Sequence, residues 1–202
     1  MSIQALPYII LAGFFYGSSM IASRFSVGQF APTTYIGLRV IIASMAHLFV
    51  YSMMTGRKLP RDRILWKHAI IMGIFGTAVP LTCVVSSLQY QSSGVTSLLL
   101  TTSPALTVIL AHFLLHDERL TGRKIIGVSL ALGGAIMLAL NGENGLPDVT
   151  GGDIRGYLFS IGAIIASSTM TIYARKYLKG YDSFDVASIR MFTSAISTVP
   201  YT

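Results

Sequence analysis

"IGLRVIIASMAHLF", residues 36–49, is apolar apart from Ser44, His47 and an arginine, Arg39, near its start. The apolar run around it, 33–54, has about the 20 residues needed to cross the hydrocarbon core of a bilayer. A guanidinium cannot shed its charge, so its place in such a run needs a reason. The rest of the chain supplies one.

The 202 residues are 52% hydrophobic and 11% charged, with a mean hydropathy of +0.64. Soluble domains carry about 25% charged residues. A chain this apolar has too little polar surface to coat a soluble globule, so the class is integral membrane. The net charge of +7 does not point to nucleic acid. Its basic residues sit almost entirely in short loops between apolar runs, where anionic headgroups attract them. The one cysteine, Cys83, lies inside an apolar run and has no partner for an intramolecular disulfide. The first apolar run is too long for a cleavable signal, and no Lys or Arg precedes it.

Seven spans are predicted: 5–23, 33–54, 66–88, 93–116, 123–141, 156–175 and 184–202. One set of loops holds Arg57, Lys58, Arg61, Arg63, Lys67, Arg119, Arg123, Lys124, Arg175, Lys176 and Lys179, eleven basic residues. The other set holds two, Arg24 and Arg155. The positive-inside rule then puts the N-terminus in the cytoplasm. Thr202 falls outside, at the end of a span of bare length, and the chain reads as cut off after helix seven.

An internal repeat underlies the spans. Tyr8, Gly13, Ser18 and Ser19 match Tyr157, Gly162, Ser167 and Ser168 at an offset of 149. Arg24 matches Arg175, and Arg39 matches Arg190, both at 151. The repeat unit is therefore five helices. An odd number forces the second copy into the membrane upside down, the arrangement of many secondary transporters. The predicted fold is an all-α polytopic bundle of inverted five-helix repeats: 1–141 the first, 142–155 an extracytoplasmic linker, 156–202 the start of an incomplete second.

Arg39 and Arg190 each lie six residues into a span, roughly 9 Å deep. An arginine at a helix centre costs about 2.5 to 3.5 kcal/mol on insertion scales, and less near an interface. Two readings stay open. Each side chain either snorkels as an anchor or faces a cavity mouth or a partner helix's carbonyls, where it would attract anionic substrate groups.

The most specific stretch is "SSGVTSLLLTTSPALTVILAHFLLHDERLTGRKIIGVSLALGGAIMLAL", residues 92–140. It combines a small-residue helix start, a mid-helix Ser103-Pro104, and Glu118 at the end of span four. "YGSSMIASR" at the end of span one, and Pro32, Arg39 and Ala43 in span two, accompany it. Over essentially its whole length the chain resembles the drug/metabolite transporter superfamily, specifically its EamA-type ten-helix members. The resemblance implies ten helices in two inverted repeats and transport of small metabolites, often efflux of amino acids or related compounds. Spans eight to ten of that pattern are missing here. It also implies a bacterial plasma (inner) membrane.

Physical chemistry gives some of these residues roles. Pro104 removes a backbone donor in mid-membrane. Thr101, Thr102 and Ser103 beside it either satisfy freed carbonyls or face a wet cavity. Pro80, with Thr77 and Thr82, acts likewise in span three. Ser18, Ser19, Ser167 and Ser168 complete the substrate-path candidates. Gly13, Gly17, Gly133 and Gly134 read as sites of close helix approach. Asp117, Glu118, Arg119 and Arg123 read as a surface ion network. His47, with Arg39 and Arg190, is an intramembrane ionisable residue, either a proton relay or a hydrogen-bonded packing residue.

Other chemistry lacks support. His112 and His116 have a helical spacing that ligands use, but the chain has four histidines, too few for a membrane di-iron centre. No metal, cofactor or catalytic role is expected, so the chain is not read as an enzyme. The expected partners are a small-molecule substrate and the bilayer. A coupling ion, proton or sodium, and a homodimer stay open. The second functional class is a non-transporting membrane protein such as a receptor or assembly subunit. An inward N-terminus and the repeat both count against it.

Overall fold

The computed structural model describes residues 6–53, 59–115, 120–140 and 153–198. Helix α1 runs Leu6–Ser26 and α2 Pro32–Met53. The third span is α3 (Arg63–Gly73), a π-helical turn (Ile74–Ala78) and α4 (Val79–Ser87). The fourth is α5 (Ser93–Leu100) and α6 (Ser103–Leu114). Then come α7 (Gly122–Leu140), α8 (Ile154–Tyr177) and α9 (Ser183–Thr198). Among the described residues there is no strand, only an isolated bridge between Val27 and Phe30. The molecule is an all-α polytopic bundle.

Among the described residues, five helical stretches are long and apolar enough to cross a membrane: Leu6–Ser26, Pro32–Met53, Arg63–Ser87, Ser93–Leu114 and Ile154–Tyr177. Helices α7 and α9 occupy the positions of the other two predicted spans. His116, Asp117, Glu118, Arg119, Arg57, Lys58 and most of the 142–155 linker lie outside the described residues.

Lipid tails are as apolar as leucine, so helices in a bilayer associate through close packing and hydrogen bonds. Here α4 and α6 pack on α8, while α2 and α3 pack on α9. Ile36, Val40, Val85 and Ala195 form one buried cluster, and Leu65, Ala69, Met72, Leu178 and Ile189 another. Helix α1 buries only Met20 and Ser23. The close approach predicted at Gly13, Gly17, Gly133 and Gly134 is absent: among the described residues, nothing lies within 4 Å of a Cβ built on any of them. The tight crossing is at Gly73. A Cβ there would stand 2.7 Å from Thr193 Cβ and 2.9 Å from the Arg190 carbonyl oxygen. The missing side chain lets α3 and α9 touch backbone to side chain.

Arg24, at the end of α1, donates to the Leu88 carbonyl and so caps the end of α4. At the other end of the bundle Asp62 caps α3, accepting from the Ile64 N–H at 2.8 Å and the Tyr181 hydroxyl at 2.9 Å. The Ile64 bond first, then Tyr181, holds the Asp62 carboxyl below its ordinary value, and the same contact pushes the Tyr181 phenol up.

Two outcomes follow from these contacts. Gly73→Ala should destabilise the detergent-solubilised protein by about 1 to 3 kcal/mol through overpacking, whereas Gly133→Ala should leave its thermal midpoint unchanged or raised. A depressed carboxyl pKa contributes stability above the unfolded value that is lost as pH falls through the folded one. Wild type should therefore outlast Asp62→Asn in thermal unfolding at neutral pH, and the gap should close below the usual carboxylate range.

Candidate functional site

The site begins with a missing hydrogen. Pro80 has no N–H to give the carbonyl four residues back, that of Gly76. The helix responds just before it: Val79 N–H bonds the Ile74 carbonyl five residues back, and the Ile74–Ala78 turn is π-helical. Such π-turns often mark functional positions. The freed Gly76 carbonyl finds a donor on another helix. Arg190 of α9 places Nη2 3.3 Å from it and 3.0 Å from Thr77 Oγ1, with Nε 3.3 Å from the same hydroxyl.

Arg39 of α2 turns inward too, its Nη2 donating to Ser19 Oγ of α1 at 3.2 Å. Both arginines line one cavity of about 410 Å³ between α1, α2, the third span, α8 and α9. Thr77, Ser167 and Tyr16 give it hydroxyls, and Val40, Leu81 and Leu100 give it apolar wall. Its size lies in the range of small-molecule sites. Arg190 also borders a second cavity of about 550 Å³, toward the end where Arg175, Lys179 and Tyr181 lie. It thus stands in the wall between the two.

Span four breaks where Ser103-Pro104 predicts. Helix α5 ends at Leu100, Thr101 and Thr102 form a turn, and α6 restarts with Pro104 in its first turn, where no donor is lost. Thr101 and Thr102 donate to the Leu98 and Leu99 carbonyls at 2.6 and 2.7 Å, so they tie up backbone and do not face the central cavity. Ser103 turns to α8. Ser168 donates to the Ser103 carbonyl at 3.0 Å and Ser167 to that of Ile164 at 3.1 Å. The Ser103 hydroxyl lies 3.2 and 3.1 Å from those two oxygens, free to donate to either. The three serines thus fasten span four to α8, with Ser167 also at the cavity.

His47 stands apart, among α9 residues. Ser188 gives its proton to the Phe184 carbonyl at 2.7 Å, so His47 Nδ1, 2.8 Å from Ser188 Oγ, is the donor of that pair. Phe184 packs its ring 5.0 Å from His47 and 5.3 Å from Tyr51, and Tyr51 donates to Asp185 at 2.6 Å. Ser18 is exposed on α1 and Pro104 is exposed on α6. His112 accepts from the Leu120 N–H at 3.4 Å. Among the described residues no three His, Cys, Asp or Glu side chains converge on a metal position.

Several site residues carry little sequence signal. Tyr16, Ala43 and Met191 line the cavity but resemble any other apolar-helix residue. Gly76 could be found: it lies four before a mid-helix proline, the spacing that orphans a carbonyl.

The description of the EamA-like transporter family fits residues 3–140 of the chain. The chain belongs to that family. Among curated proteins it is similar to an uncharacterized transporter of Archaeoglobus fulgidus, 26% identical over 190 residues, covering 93% of this chain and 63% of the relative. It is also similar to the uncharacterized transporter YyaM of Bacillus subtilis, 24% identical over 197 residues, 95% of this chain and 63% of the relative. The uncharacterized transporter YetK of the same species matches at 27% over 163 residues, 79% of this chain and 48% of the relative. The chain spans a little under two thirds of the length of the first two. This EamA-like chain is an integral membrane protein by family and by its apolar helices alike.

Charged hydrogen bonds contribute about 1.5 to 3 kcal/mol each. Thr77→Val, which removes the hydroxyl that Arg190 meets with two nitrogens, should lower stability in detergent by about 1 to 3 kcal/mol, measured as a loss of thermal midpoint. Ser18→Ala, at an exposed position, should change it by less than about 0.5 kcal/mol.

Proposed function

We propose that this EamA-like protein is a secondary transporter of small metabolites, with efflux of amino acids or related compounds as the working direction, through alternating access between inverted repeats. One observation carries the reading. Arg39 and Arg190, at equivalent positions of the proposed repeats, line one cavity beside the proline break at Pro80.

The packing supports the inverted arrangement. In a two-fold repeat of five helices, the second and seventh spans are each other's equivalents, so the axis runs between them. Helices α2 and α9 are those spans, and they pack together. The sixth span, α8, packs on the third and fourth. The same symmetry would seat α1, now exposed along most of its length, against the third and fourth spans of the second repeat. Residues 1–141 would be the first repeat and 156–202 the opening of the second. The loop charges support a cytoplasmic N-terminus, and the organisms of the relatives favour a prokaryotic plasma membrane. No step calls for covalent chemistry.

The test is transport by the full-length protein in proteoliposomes. Counterflow of amino acids or related small metabolites should appear with wild type and fall at least about tenfold with Ala43→Phe, which puts a ring into the cavity at a half-buried α2 position. Membrane abundance should not change. Undiminished counterflow with that ring in place would move the path elsewhere. No flux of any metabolite would return the protein to the non-transporting class.

A further inference from the structure

The two arginines of the central cavity lack acidic partners among the described residues. Arg39 meets one serine hydroxyl, and Arg190 meets a threonine hydroxyl and a backbone carbonyl. No carboxylate of the described residues lines the cavity. A guanidinium presents five N–H donors in a planar fork and stays charged at any physiological pH. Ser19 occupies one nitrogen of Arg39 and leaves most of its fork for a ligand. Two permanent cations in a recess walled by Val40, Leu81 and Leu100 focus a positive field into it.

That field sorts small metabolites by charge. A zwitterionic amino acid brings a carboxylate that the site can receive and an ammonium that it repels. A neutral solute gains nothing from either arginine. A molecule with a negative oxygen group at each end meets both charges: it can bond the open Arg39 fork bidentately and take the Arg190 nitrogen that Thr77 and Gly76 leave unused. We infer that the cavity takes a small organic dianion, with a carboxylate or phosphate-type group facing each of Arg39 and Arg190. The inference rests on the same cavity as the transport reading and names its substrate class. Ser167 and Tyr16 remain to hydrogen-bond the neutral middle of such a ligand.

The test uses full-length protein in detergent at constant ionic strength, unfolded thermally against rising succinate, 3-phosphonopropionate, succinamide or alanine. Succinate or 3-phosphonopropionate should raise the midpoint, and whichever does so identifies the oxyanion. Succinamide and alanine should not. Arg39→Gln should weaken the response about tenfold or more, the loss of one charged hydrogen-bonding partner, and Arg39→Lys should retain part of it. Arg39 is the variant of choice because its one contact on Ser19 makes it less needed for folding than Arg190. Equal responses to succinate and succinamide, or a dianion response unchanged in Arg39→Gln, would overturn the inference. Counterflow separates it from the transport reading. Alanine exchange indifferent to both dianions would sink the inference and leave transport standing. Dianion stabilisation lost in Arg39→Gln, with no counterflow of any solute, would uphold the site and sink transport.

Discussion

The bundle turns on one hydrogen bond that a proline cannot make. Without an N–H at Pro80, the Gly76 carbonyl lacks its usual donor four residues on, and in a bilayer there is no water to supply one. The chain answers with a π-turn at Ile74–Ala78 and a guanidinium from α9. Much else depends on that answer. Arg190 can reach Gly76 and Thr77 because Gly73, one turn earlier, lets α9 come into contact with α3. It also explains why a cation is tolerated in an apolar span. The cost of insertion, about 2.5 to 3.5 kcal/mol at a helix centre, is offset by carbonyl and hydroxyl partners that would otherwise be short of donors.

Hydroxyls complete the polar interior, and they work mostly by returning protons to backbone. Ser44 donates to Val40, Thr101 to Leu98, Thr102 to Leu99 and Ser188 to Phe184. Each then keeps lone pairs for a neighbour. This is how Ser188 receives His47, and how Ser167 and Ser168 receive Ser103. An acceptor-rich interior suits donors such as arginine forks and a histidine N–H. Away from the arginines it offers little to an Asp or Glu side chain, and among the described residues none lines the central cavity.

The apolar runs alone made the bundle legible, since length and hydropathy suffice to mark spans, and the prolines marked both breaks. Arg39 and Arg190 were visible as a pair because a permanent charge in an apolar run stands out. Their pairing was not. Ser19 and Thr77 stand out as hydroxyls, but their contacts with the arginines, like that of Gly76, join residues 20, 113 and 114 positions apart, and nothing in a run of apolar helix announces which face turns inward. The threonines beside Pro104 show the converse. Residue type and place suggested a wet cavity as readily as a satisfied backbone, and only geometry assigned them to the backbone. The glycines mislead for a related reason. A Gly-x-x-x-Gly spacing permits close approach without requiring it, whereas Gly73, lacking that spacing, is the one that a neighbouring helix crosses closely.

Equivalent in sequence, the two arginines differ in what they hold. Arg39 docks on Ser19 of α1, while Arg190 docks on Thr77 of the third span. Ser168, the residue 149 positions after Ser19, is bonded to Ser103 instead. If the repeat is two-fold, each arginine therefore has two kinds of berth, a serine on the first helix of its own repeat and a threonine on the third helix of the other. One kind is filled on each side. On the proposed alternating access, exchanging the berths would convert one arrangement into its inverted image at little net change in energy. Packed interiors resist continuous deformation and favour such discrete alternatives. The proline breaks, at Pro80 beside one berth and Pro104 beside Ser103, lie where the backbone would have to give.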